Sequence, residues 1–193
     1  MLAGLGDICA ASRNTIVHFP LLDDQAGARF KSGIFVEYFV ETYSVYYGFS
    51  QRFDFPADEA FRWCTDYATD DIELMGERGR RKVKRLNDDT FVLNDKYKTK
   101  QGKVVKKRLV RIYPERLGWT NTRVSKDGRY SQFLYQIVAE EGGGSRLDFA
   151  GSQIFSGKKP GKAKLDAMAK QLVTEDSAAW RNLAKAMAKD LSK

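Results

Sequence analysis

The spacing of apolar residues changes once along this chain, and that change limits what it can fold into. From Tyr43 to about residue 155 apolar side chains recur at every second position, in runs broken by turn residues. From residue 163 almost to the C-terminus they recur every 3.6 residues. The first run puts Tyr43, Val45, Tyr47, Phe49, Phe53 and Phe55 on one parity and Ser44, Gly48, Ser50, Arg52 and Asp54 on the other, the pattern of a long half-buried strand. Pro56 and the acids Asp58 and Glu59 then suit a helix N-terminus, so a short helix is expected through Cys64 to Tyr67, with a further turn near residue 70.

Six more strands are predicted, separated by Asn87-Asp88-Asp89, residues 99–102, Pro114-Glu115-Arg116, Lys126-Asp127-Gly128 and Gly142-Gly143-Gly144. Inward parity is legible in Phe91, Leu93 and Tyr97; in Leu117 and Trp119; in Phe133, Tyr135 and Ile137; and in Leu147, Phe149 and Phe155. The run from Val104 to Tyr113 leaves its register open, because Val110 and Ile112 compete with Leu109 and Tyr113 for the inner face. The terminal helix carries Leu165, Met168, Leu172, Leu183 and Met187 on one stripe, and Asp176 falls at its centre. A buried carboxylate is costly unless it is solvated, paired or protonated. Either Asp176 meets one of these conditions, or the helix kinks near residues 175–177 and puts it in water.

Residues 1–42 hold no persistent period and read as an N-terminal extension, either an irregular arm or a segment upstream of the true start; residues 43–193 form the domain. With 193 residues, 42% hydrophobic, one core is expected and global disorder is excluded. No stretch has the roughly 18 apolar residues of a membrane span, and no secretory signal opens the chain, so a cytoplasmic location is expected. Cys9, Cys64 and the single histidine, His18, furnish neither a disulfide framework nor a common metal cluster, and no cofactor or metal enters the reading. The glycine run 142–144 joins two strands and lacks the Lys-Ser/Thr of a phosphate loop. The net charge of +8 is local, since residues 77–116 hold 15 Lys/Arg against 5 Asp/Glu. That segment is either a solvated sheet face or a surface for nucleic acid or an anionic membrane.

The order β-α-(β)6-α, an α+β architecture in which a curved antiparallel sheet wraps a long C-terminal helix, resembles the helix-grip fold of the SRPBCC superfamily. That group takes in START, polyketide-cyclase and birch-pollen-allergen-like proteins. The resemblance covers roughly residues 43–191. It rests on Phe53-Asp54-Phe55-Pro56-Ala57-Asp58-Glu59-Ala60-Phe61-Arg62-Trp63-Cys64-Thr65-Asp66, and on the strand Arg146 to Phe155 with its Gly/Pro turn and helix. It implies a cavity between sheet and helix for a lipid, polyketide or similar molecule.

Residues expected to line such a cavity are Tyr47, Phe49, Phe91, Leu93, Tyr97, Trp119, Asn121, Phe133, Tyr135, Phe149, Met168, Leu172 and Asp176, although each inward aromatic is equally a plain core residue. Asp176 is the one candidate for acid or base chemistry. Asp95, Arg123 and Gln51 are further inward polar positions. The expected function is binding or carriage of a hydrophobic or amphipathic small molecule. The rivals are a cyclase, dehydratase or hydrolase in the same cavity, and polyanion binding through the basic strands. Open sheet edges leave room for a homodimer without specifying one.

Overall fold

The computed structural model describes residues 41–99, 102–124 and 130–193; the N-terminal extension, with Cys9 and His18, lies outside them. β1 (Thr42–Phe53) leads through α1 (Ala57–Cys64) and α2 (Asp71–Leu74) to β2 (Gly79–Arg85), β3 (Thr90–Thr99) and β4 (Gly102–Tyr113). A short 3-10 turn (Pro114–Arg116) then leads to β5 (Gly118–Val124), β6 (Tyr130–Ala139), β7 (Ser145–Ser156) and α3 (Lys162–Leu191). The strands form one antiparallel sheet in the order β1-β7-β6-β5-β4-β3-β2, so each strand from β2 to β6 pairs with its successor and β1 closes onto β7. No helix among the described residues is long and apolar enough to cross a membrane.

Local chemistry places the elements where the sequence pattern puts them. Alternation in β1 buries Val45, Tyr47 and Phe53. Pro56 caps α1 with Asp58 and Glu59 in its first turn, which complements the helix dipole, and Ala60 and Phe61 face inward. The Thr65 hydroxyl donates to the Phe61 carbonyl at 2.7 Å and ends the helix. Gly142 and Gly143, at φ of 92° and 91°, supply the left-handed turn between β6 and β7.

The packed core lies at one end of the sheet, where Phe53, Phe61, Tyr67, Leu93, Trp119 and Leu147 meet Met187 of α3. β4 turns Val110 inward, with Arg108 and Lys106 on the same face, and leaves Leu109 half exposed to solvent at 49%. Its inner row is half cationic, which is why apolar alternation alone left its register open. α3 is a continuous helix through residue 176, so the alternative of a helix broken there does not arise. Its burial is uneven: Leu183 and Met187 are buried, whereas Leu165, Met168, Leu172 and Asp176 are half-buried.

The two faces of the sheet predict opposite outcomes for the same change. Leu147→Ala, at a fully buried position, is expected to cost about 3 kcal/mol in urea unfolding, while Leu109→Ala on the outer face is expected to stay within about 0.5 kcal/mol.

Candidate functional site

Two polar groups occupy the inner face beside the aromatic core. The first is ionic. Arg81 on β2 stands opposite Asp95 on β3 and grips it with two bonds, Nε to Oδ1 at 2.8 Å and Nη2 to Oδ2 at 3.1 Å. Its remaining Nη1 donates to Asp71 of α2. Arg108 reaches Asp95 Oδ2 at 3.3 Å and donates to the Tyr97 hydroxyl at 2.9 Å, while that hydroxyl donates to Asp95 Oδ2 at 3.3 Å. Two guanidinium groups and two carboxylates thus balance one another inside the fold, the condition under which buried charge is tolerated. Burial pushes the Asp71 carboxyl up to about 6 against the opposing pull of Arg81. The Lys106 ammonium lies 4.6 Å from the Tyr97 ring centroid, and burial, then the charges of Arg108 and Arg123, lower its pKa.

The second group joins sheet and helix. The Tyr47 hydroxyl on β1 donates to Asp176 Oδ2 on α3 at 2.6 Å, and Gln153 Nε2 on β7 donates to the Tyr47 oxygen at 3.2 Å. Burial raises the Asp176 pKa; the hydrogen bond from Tyr47 and the charges of Lys106 and Arg108 pull it the other way. Burial and the neighbouring Asp176 charge push the Tyr47 hydroxyl far up, so it remains a donor. Gly151 makes this geometry possible: a Cβ there would stand 2.8 Å from Tyr47 Cε1 and 2.9 Å from Phe149 Cζ.

Around this clasp runs an aromatic tier. Phe149 packs against Tyr47, Phe49, Phe133 and Tyr135 at centroid distances of 5.3, 4.7, 5.8 and 5.1 Å. Tyr135 stacks on Trp119 at 4.8 Å, and Trp180 of α3 leans on both at 5.7 and 6.2 Å. Phe49, Phe133 and Tyr135 are only half-buried, as are Met168 and Leu172, two turns and one turn before Asp176 on α3. Asn121, opposite Phe133, is buried with no hydrogen-bond partner for Oδ1 among the described residues. Its carbonyl is therefore an unused acceptor beside the tier.

The structure brings together Tyr47, Phe49, Asn121, Phe133, Tyr135, Phe149 and Asp176, with Trp119 behind them. Phe91 and Leu93 lie in the packed core, where Phe91 meets Tyr67 at 5.4 Å, and Tyr97 belongs to the ionic group. A cavity of about 60 Å3 bordered by Cys64, Tyr67, Arg81 and Trp180 lies within the core, below the roughly 300 Å3 of a small-molecule site. Gln51, also inward by parity, donates to the neighbouring Arg52 carbonyl at 2.9 Å. Sequence reasoning did not single out Gln153, Lys106 or Arg108 for the site. Their parity with Phe149 and Val110 was the available signal, hidden in Lys106 and Arg108 by a run of surface lysines.

Asp95 is the shared counter-charge of the ionic group. Asp95→Ala would leave Arg81 and Arg108 inside without it, and a loss of about 3–5 kcal/mol in chemical unfolding is the expected result.

No protein-family model matches this chain, and no curated protein matches its sequence. Solved structures do match its fold. Ara h 8.0201 superposes with a TM-score of 0.60 at 11% identity, over 76% of this chain and 99% of that one. The ZhuI aromatase/cyclase from Streptomyces sp. R1128 gives 0.62 at 7% identity, over 77% and 96%. Norcoclaurine synthase from Thalictrum flavum, solved with dopamine and hydroxybenzaldehyde, gives 0.58 at 10% identity, over 77% and 88%. Seven antiparallel strands curved about one long C-terminal helix, superposable on Ara h 8.0201, an aromatase/cyclase and norcoclaurine synthase, give this chain the helix-grip fold.

Proposed function

We propose that the protein binds an amphipathic small molecule between the inner face of the sheet and the N-terminal half of α3. The observation that carries this reading is the Tyr47–Asp176 clasp beside aromatic rings that the helix leaves half-buried. The apolar body of the ligand lies against Phe49, Phe133 and Phe149, with Met168 and Leu172 on the helix side. Its polar end meets Tyr47, Asp176, the free Asn121 Oδ1 and the cations Lys106 and Arg108. A carbonyl or an acid is favoured there, because hydroxyl and cationic donors outnumber acceptors. The same fold hosts the cyclase and synthase described above, which is compatible with ligand capture in this space.

A second reading, turnover, draws on the same pair. Tyr47 can donate to a substrate carbonyl oxygen while Asp176, ionised, accepts a proton from an adjacent carbon, which is the acid-base pairing that cyclisation or dehydration requires. Binding and turnover separate on one substitution. Asp176→Asn leaves binding within severalfold in both cases and abolishes product formation only if the carboxylate moves a proton.

Native mass spectrometry of the purified chain, followed by denaturing extraction, tests the binding reading directly. A stoichiometric amphipathic molecule is expected, and Tyr47→Phe should weaken its rebinding about tenfold through the lost hydrogen bond. Recovery of no molecule, together with no saturable binding of an anionic naphthalene dye, would overturn it.

The clasp also sets a pH dependence. With its pKa raised, Asp176 keeps a proton in the folded chain at pH values where the unfolded chain has released it. Its contribution to stability is greatest below about pH 4 and declines as pH rises through the folded value. Asn at this position still accepts from Tyr47 and never ionises, so the Tm of Asp176→Asn should gain on that of the parent from pH 4 toward pH 8 in parallel thermal melts.

A further inference from the structure

The outer face of β2, β3 and β4 is a field of cations. β2 presents Arg80, Lys82 and Lys84 there, β3 presents Lys96 and Lys98, and β4 presents Lys103 and Lys107, all exposed. None of the seven has an ion-pair partner among the described residues. Same-face neighbours along a strand are about 6.8 Å apart, and neighbouring strands about 4.8 Å. The register puts Arg80 directly opposite Lys96 and Lys98 directly opposite Lys103. Directly opposed like charges destabilise a sheet. All these spacings fall inside the screening length of about 8 Å at physiological salt.

Acids stay at the margins. Glu73 and Glu77 border a concavity of about 730 Å3 at the start of β2, which is otherwise charged by Arg78, Arg80, Lys96, Lys98 and Lys103. At the opposite end Asp88 and Asp89 lie near Arg85 and Arg111, at 3.8 and 3.7 Å. Protection of the sheet edge accounts for lysines on β2, the edge strand, but not for those on β3 and β4 behind it.

Set among the lysines are exposed aliphatic residues, Val105 at 60% and Leu109 at 49%, on the outer face of β4. No aromatic side chain faces outward from β2, β3 or residues 103–109 of β4, so base stacking has no platform. Lysine ammonium groups outnumber guanidinium groups, which suits diffuse attraction to many phosphates better than bidentate readout. An exposed valine ringed by lysines gains nothing from a nucleic-acid backbone, but it gains from the apolar margin of a lipid headgroup layer.

The geometry points to docking of this outer face on an anionic lipid bilayer, with the lysines of β2–β4 on the headgroups and Val105 entering between them. This surface lies on the opposite side of the sheet from the Tyr47–Asp176 clasp, and the inference does not rest on the ligand reading.

Sedimentation of the full chain with vesicles of phosphatidylcholine alone, or with added phosphatidylserine, tests it. Binding is expected only to the anionic vesicles and should be lost as salt is raised. The triple variant K82E/K96E/K107E should bind at least about a hundredfold more weakly, and Val105→Asp several-fold more weakly, with thermal melts that show both variants folded. Three results would overturn the inference: equal sedimentation with both vesicle types, parental binding by the folded triple variant, or tighter binding at the same salt to a short nucleic-acid duplex that Val105→Asp leaves unchanged.

Discussion

One helix has to cover one face of seven strands. At about 4.8 Å per strand the sheet is roughly 30 Å across, while a helix with its side chains is about 10 Å wide. The chain meets this mismatch by curling the sheet and seating α1 and α2 against one end, where Leu183 and Met187 of α3 complete a closed core. The remainder of the inner face is only partly covered by α3 and is not wholly apolar. Large rings fan across it from Phe149, and polar groups occupy the places that a second helix would have made hydrophobic. The candidate site therefore sits where the cover thins to one helix.

Much of this arrangement could be read from spacing, because strand parity and helical period each report which side of an element is buried. The strand set, the terminal helix and the aromatic residues of β1, β6 and β7 followed from that alone. Asp176 announced itself as a carboxylate in an apolar stripe, but its partner did not, since Tyr47 lies 129 residues away and looks like any inward tyrosine. β4 failed for a physical reason: a strand whose buried face carries Lys106 and Arg108 gives no apolar alternation, and nothing local reveals that Asp95 and Tyr97 on the next strand receive Arg108. Arg81 was invisible in the same way, one cation among six, marked only by sitting opposite an aspartate once the register is known.

The basic segment thus answers one electrostatic problem in two ways. The inward guanidinium groups of Arg81 and Arg108 are matched by carboxylates, Arg81 by Asp71 and Asp95, and Arg108 by Asp95, while inward Lys106 lies over the Tyr97 ring. Cations one residue away on the same strands, Arg80, Lys82 and Lys107, face water, where screening softens their mutual repulsion without removing it. The alternation that elsewhere separates apolar from polar here separates guanidinium groups held by carboxylates from cations left to solvent.

The pairing of β1 with β7 also governs the order in which the chain can be assembled. Thr42–Phe53 zips onto Ser145–Ser156 along its whole length, and its hydroxyl clasp is made by a helix that begins at Lys162. During synthesis from the N-terminus the first strand emerges about a hundred residues before its partner, carrying an alternating aromatic face and unsatisfied backbone groups on both edges. Contacts of such long sequence separation form slowly. The local hairpins from β2 to β6 can close as they appear, leaving β1 as the element whose exposure lasts longest and whose docking, with α3, completes the domain.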